Sequence, residues 1–125
     1  MYASATLSLA ALEYFVHLNS PEAPDDLVAL GADIPDNVSR MEVDGRRRPA
    51  DGRAYPAPES LADLGSSWIR EGKTAVLIVP SAVIPSERNY LLNPVHPHFG
   101  TIRIGRPTPF SFDLRLWKPE PPSPR

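Results

Sequence analysis

Residues 74–99 read TAVLIVPSAVIPSERNYLLNPVHPHF, and they open with the unbroken apolar run Ala75-Val76-Leu77-Ile78-Val79. A strand exposed on one face alternates apolar with polar residues, so a run without alternation predicts a strand buried on both faces. Pro80 removes a ladder donor and holds Val79 extended, which ends the strand and delivers Ser81 at its tip. Three further prolines at 85, 94 and 97 enclose a polar set of Ser86, Glu87, Arg88, Asn89, Asn93 and His96. Loop ends of buried strands are where rigid elements present polar groups at the rim of a core, which makes Ser81 a candidate site residue. Serine and asparagine also bond nearby backbone in turns, so Ser81 and Asn89 equally fit a turn-and-cap role.

Upstream, residues 5–19 carry Leu7, Ala10, Ala11, Tyr14, Phe15 and Leu18 at helical spacing, with Ser4 or Thr6 placed to cap the start. Leu9, Leu12 and Val16 fill much of the opposite side, so this helix is expected to be buried on more than one face. Glu13 is the exception. A carboxylate on that flank requires a partner, a wet cleft or a shifted pKa, with solvent or His17 four residues on as the plain alternatives.

Residues 27–34 alternate as a strand closed by Pro35, and 36–58 read as a loop containing Arg46-Arg47-Arg48. That run is either a phosphate-attracting group or a solvated charge cluster. Residues 59–70 place Leu61, Leu64, Trp68 and Ile69 on a helical stripe with Gly72 as the stop. Residues 101–104 form a brief strand, and 110–116 alternate Phe110, Phe112, Leu114 and Leu116 inward. The ending 118–125, KPEPPSPR, reads as a proline-rich, disordered tail. The sum is one α+β domain with a mixed or antiparallel sheet and packed helices. Sixteen prolines among 125 residues, well above the usual ~5%, favour short elements with stiff connections over a helical bundle.

A net charge of −2 offers no dedicated surface for nucleic acid or an anionic membrane. The absence of cysteine excludes disulfides, thiolate catalysis and cysteine-based metal sites, and suits a cytoplasmic location. His96-Pro97-His98 lacks a third ligand, so no metal site is expected, and neither type of glycine-rich phosphate loop is present. What remains is a carboxylate on a helix, the Tyr2 hydroxyl, a serine at a strand end and amide side chains. That set suits chemistry in which positive charge develops on a sugar carbon as its anomeric bond breaks.

The stretch VPSAVIPSERNYLLNPVHPHF, residues 79–99, resembles the signature of the RES domain family of bacterial toxins from toxin–antitoxin pairs. The likeness extends through Leu64-Gly65-Ser66-Ser67-Trp68-Ile69, Ala11-Leu12-Glu13 and Phe112-Asp113-Leu114-Arg115. It implies a fold similar to the mono-ADP-ribosyltransferase toxins. It implies NAD⁺ as substrate, with no prosthetic group, cleaved at the nicotinamide–ribose bond by phosphorolysis or hydrolysis. It further implies a type II toxin–antitoxin system, with an antitoxin carrying a helix-turn-helix part as partner, and it allows a homo-oligomer. Matched motif by motif, the family glutamate is Glu13, its serine Ser81 and its tyrosine Tyr2, with Asn89 a further candidate for binding NAD⁺. The implied roles are that Glu13 stabilises an oxocarbenium-like centre, Tyr2 meets the nicotinamide end and Ser81 holds ribose or nicotinamide. The family arginine lies upstream of its tyrosine, whereas here Met1-Tyr2 open the sequence and the first arginine is Arg40. The expectation is therefore a domain over 1–117 shortened at its N-terminus, with Arg46–Arg48 as the alternative clamp. Two other functions fit the same resemblance: ADP-ribosyl transfer to a protein, or an inactive remnant that binds an antitoxin-like partner.

Overall fold

A computed structural model of the chain describes residues 1–19, 21–43 and 58–117. Its elements run β1 (Tyr2–Ser4), α1 (Leu7–Val16), β2 (Val28–Ala29), β3 (Ala32–Asp33), β4 (Arg40–Glu42), α2 (Pro58–Glu71), β5 (Val76–Pro80), β6 (Arg88–Leu92), β7 (Arg103–Ile104) and β8 (Thr108–Pro109), with 3₁₀ turns at Pro97–Thr101 and Leu114–Leu116. Among the described residues the main sheet is four-stranded in the order β1-β6-β5-β4. β6 is antiparallel to both neighbours and β4 is parallel to β5, so the sheet is mixed and the domain is α+β. Two short antiparallel ribbons, β2 with β8 and β3 with β7, lie outside it.

The apolar run becomes β5, buried at every residue. Its alternate side chains enter two different cores. Val76 and Ile78 pack with Val38, Ala75, Leu92 and Ile102, while Leu77 and Val79 pack with Trp68 of α2. Covering on both faces is the physical reason the run needs no polar alternation. Trp68 is fixed from its polar edge as well, because Nε1 donates to Thr74 Oγ1 (2.8 Å) and that hydroxyl donates to the Val76 carbonyl (2.9 Å). α2 stops where expected, at Gly72 with φ of 62°, a left-handed conformation that favours glycine.

Several expected elements take another form. Residues 27–34 are two separate two-residue strands and not one. The expected loop at 36–58 contains β4, which pairs Arg40, Met41 and Glu42 alongside Val76, Leu77 and Ile78; Arg46–Arg48 lie outside the described residues, as does the tail 118–125. β1 and β6 belong to the central sheet although neither was expected as a strand. Residues 110–116 are not a strand. Phe112 is buried and packs in a tilted, edge-to-face cluster with Phe15, Phe110 and Trp117 at centroid separations of 5.1–5.8 Å. Asp113 then accepts from the Arg115 N–H (2.8 Å), turning the chain so that Leu114 and Leu116 face outward.

α1 begins at its expected cap, with the Leu9 N–H donating to Thr6 Oγ1 (3.1 Å), but it is buried along one line only. Leu9 is inside, while Leu7, Leu12, Tyr14 and Val16 are exposed. On α2 the apolar stripe is narrower than expected, since Trp68 is buried and Leu64 and Ile69 are exposed; the side chain of Leu61 lies outside the described residues.

Candidate active site

Side chains alternate across a strand, and residues directly opposite one another share a face. The registers Tyr2↔Leu91, Ser4↔Asn89 and Val79↔Asn89 therefore set Tyr2, Ser4 and Asn89 on the face that carries Leu77 and Val79. α1 follows β1 after two residues and contributes Glu13 beside this row. The hairpin from β5 to β6 contributes Ser81 from the adjoining strand end.

These four elements converge on one carboxylate. Ser81 Oγ donates to Glu13 Oε1 (2.7 Å), and Asn89 Nδ2 donates to the same oxygen (2.8 Å). Asn89 Nδ2 also donates to the Tyr2 hydroxyl, and Asn89 Oδ1 accepts from Ser4 Oγ (2.6 Å). Glu13 Oε2 has no hydrogen-bond partner among the described residues. The carboxylate is thus gripped by one oxygen and presents the other.

Ser81 is 2% exposed and its hydroxyl is fully used. Besides donating to Glu13 it accepts from the N–H groups of Val83 (3.1 Å) and Ile84 (3.0 Å), which is the complete capacity of a hydroxyl. Ser81 thus ties down the turn after β5, as its turn-and-cap reading expected, and also donates to the acid of α1. Glu13 does not pair with His17: Ser81 and Asn89 hold one of its oxygens, and the other opens to the cleft.

A cleft of about 410 Å³ opens beside this network, lined by Tyr2, Ala3, Ser4, Ala10, Glu13, Tyr14 and His17. Its volume falls within the range of small-molecule sites, about 300–1,000 Å³. Tyr2 and Glu13 line it directly, whereas Ser81 and Asn89 stand behind them. Although 57% of Tyr2 is exposed, its hydroxyl is the inner end, held against Asn89. Burial of that hydroxyl, and next the nearby Glu13 charge, raise its pKa above the ordinary phenol value, with the Asn89 hydrogen bond pulling partly back. Tyr2 is a neutral hydroxyl at physiological pH, and since its oxygen accepts from Asn89, its own proton is free to point into the cleft.

The histidine pair is occupied elsewhere. His96 Nδ1 accepts from the His98 N–H (3.0 Å) and His98 Nδ1 accepts from the Ser39 N–H (3.2 Å), fastening the 3₁₀ turn to the start of β4. Among the described residues no group of three or more His, Cys, Asp or Glu is placed to hold a metal ion. No helix among them is long and apolar enough to cross a membrane. Ser4 was foreseen only as a helix cap; β1 has three residues, too few to show a strand period, so nothing in the sequence marked Ser4 as the partner of Asn89.

The RES domain model matches residues 1–113. The Prs ADP-ribosylating toxin of Sphingobium sp. (strain YBL2) is 34% identical over 118 residues, covering 93% of this chain and 73% of that protein. The Toxin Res of Yersinia enterocolitica is 33% identical over 117 residues, 93% of this chain and 76% of that protein. The Toxin Res of Photorhabdus laumondii is 34% identical over 124 residues, 94% of this chain and 76% of that protein. The RES domain match includes all the residues that grip the acid of α1, and the chain belongs to the RES domain family.

Proposed function

We propose that this chain is a toxin of a toxin–antitoxin pair that cleaves NAD⁺ between nicotinamide and ribose. The observation that carries the reading is the half-buried Glu13 carboxylate, held through one oxygen by Ser81 and Asn89 and open through the other beside a ligand-sized cleft. In NAD⁺ the nicotinamide ring nitrogen is already cationic. When its bond to the ribose carbon breaks, the electron pair goes to that nitrogen and nicotinamide departs neutral, so no acid is needed to protonate the leaving group. The positive charge passes to the ribose carbon and ring oxygen, where a fixed anion stabilises the transition state more than the ground state. A carboxylate with no neighbouring acid meets that requirement. An incoming oxygen, from water or phosphate, then bonds the ribose carbon and releases its proton to solution.

The printed name of the Sphingobium relative, an ADP-ribosylating toxin, supports a second reading in which the incoming nucleophile belongs to a protein. The two share the bond-breaking step and differ in the acceptor. The toxin names of the relatives support the reading that an antitoxin is its partner. The chain is to be incubated with NAD⁺, with and without phosphate, and the products resolved by chromatography and mass. Free nicotinamide with ADP-ribose or its 1-phosphate is the expected result. Labelled ADP-ribose held covalently on a macromolecule in a lysate, with none free, would select the transfer reading, and intact NAD⁺ in every arm would overturn both.

A further inference from the structure

We propose that Asn89 is a positioning residue that sets two polar groups of the cleft, Glu13 and Tyr2, without touching the ligand; this rests on the NAD⁺-cleavage reading above. Asn89 is 0% exposed and does not line the cleft. Its amide is fully committed: one Nδ2 hydrogen goes to Glu13 Oε1, the other to the Tyr2 hydroxyl, and Oδ1 accepts from Ser4. The direction of the amide is fixed by chemistry, since a carboxylate oxygen only accepts and must therefore face the NH₂ side. The Ser4 hydroxyl, directly across the β1–β6 ladder, locks that direction by donating to Oδ1.

This arrangement has two consequences at the ligand. Glu13 is pinned through Oε1, which leaves Oε2 as the acceptor facing the cleft. Tyr2 is used as an acceptor, which leaves its O–H as a donor facing the cleft. One buried amide thereby gives the two groups opposite hydrogen-bonding senses. A ligand atom bound there meets Glu13 and Tyr2 and never Asn89, so loss of the amide disturbs geometry and polarity more than ground-state affinity.

The test compares Asn89→Asp, which keeps the shape but replaces both donors by an acceptor and sets a second carboxyl against Glu13, with Asn89→Ala, which removes shape and donors together. If the donors position Glu13, kcat for nicotinamide release falls by about 100-fold in both variants, with Asp at least as damaging as Ala, as expected when a reacting group is displaced by about an ångström. Binding through remote parts of the substrate keeps KM within about threefold. Asn89→Asp with near wild-type kcat and only Asn89→Ala impaired would mean that the residue merely fills space, and a large rise in KM at constant kcat would mean that it contacts substrate; either overturns the proposal. Should neither variant fold, Ser4→Ala decides through the loss of the amide lock: a several-fold fall in kcat supports it and wild-type kcat overturns it. A readout independent of turnover is the exchange of the Asn89 side-chain amide protons with solvent by NMR. Protection in the wild type that is lost in Glu13→Ala supports the network. Exchange at the rate of a free amide would overturn it. If the wild type releases no nicotinamide, the functional reading fails while this exchange result still decides the geometry.

Discussion

Glu13 and Tyr2 both line the cleft, and the charge of the first acts on the hydroxyl of the second. The Glu13 charge is the second cause, after burial, of the raised Tyr2 pKa. Glu13→Gln is therefore expected to lower the Tyr2 titration midpoint, read as the phenolate absorbance difference between each protein and its Tyr2→Phe counterpart. An unmoved midpoint would mean that the acid does not face the hydroxyl. The sign of the stability effect follows. A folded-state value above the unfolded one leaves this contribution whole below about pH 10 and removes it as pH rises through the folded-state value. Legibility differs among these residues. Glu13 stands out in LSLAALEYFV as an acid on an apolar helix, and Ser81 stands out at the end of an apolar run. Tyr2 was legible only as an available hydroxyl, and its candidate role came through the family resemblance, since a tyrosine beside an N-terminus carries no pattern. The saturation of the Ser81 hydroxyl depends on Val83 and Ile84 folding back over it, which no spacing in the sequence encodes.

At the scale of elements, β5 does two tasks: it joins the two cores and it carries Ser81 at its end. Leu77 is 0% exposed and packs between β6 and Trp68 of α2. Leu77→Ala is expected to lower stability by about 2–5 kcal/mol, the range for truncating a buried leucine, read as a reduced urea midpoint at constant m. A change below 1 kcal/mol, about the lower edge of measured core truncations, would mean that the α2 core is loosely packed. β5 was legible because a strand covered on both faces is apolar throughout. β6 was hidden because RNYLL places Asn89 at an inward position, where the polar residue serves the site and breaks the apolar signal. β1 and β4 have three residues each, shorter than any periodicity needs, and their pairing is set by neighbours distant in the chain. The alternation at 110–116 misled for the opposite reason: Phe112 turns toward Phe15 of α1 with Phe110 edge-on against it, and the Asp113 cap then ends the pattern.

Across the whole molecule, the sheet serves as a frame that brings together an acid from residue 13, a hydroxyl from residue 81 and an amide from residue 89. Composition bounded the fold class and excluded thiol chemistry, and the family motif singled out candidate site residues, but only the β1–β6–β5 register explains why they meet. Among the described residues every buried polar side-chain atom has a hydrogen-bond partner, so the network around Glu13 is complete and not a residue of poor packing. The exposed apolar side of α1, with Leu7, Leu12 and Val16, is the counterpart of that design: the helix is held by its inner line and by the site it serves. The central claim is that the Glu13 anion carries the breaking of the nicotinamide–ribose bond. Its most direct measurement is the rate of nicotinamide release from NAD⁺ by the wild type and by Glu13→Gln, which keeps the shape and removes the charge. With both proteins folded, release by the wild type and a fall of about 100-fold or more in the variant is the expected result, the scale on which preorganised electrostatic groups act. Equal release by the two proteins would contradict the account.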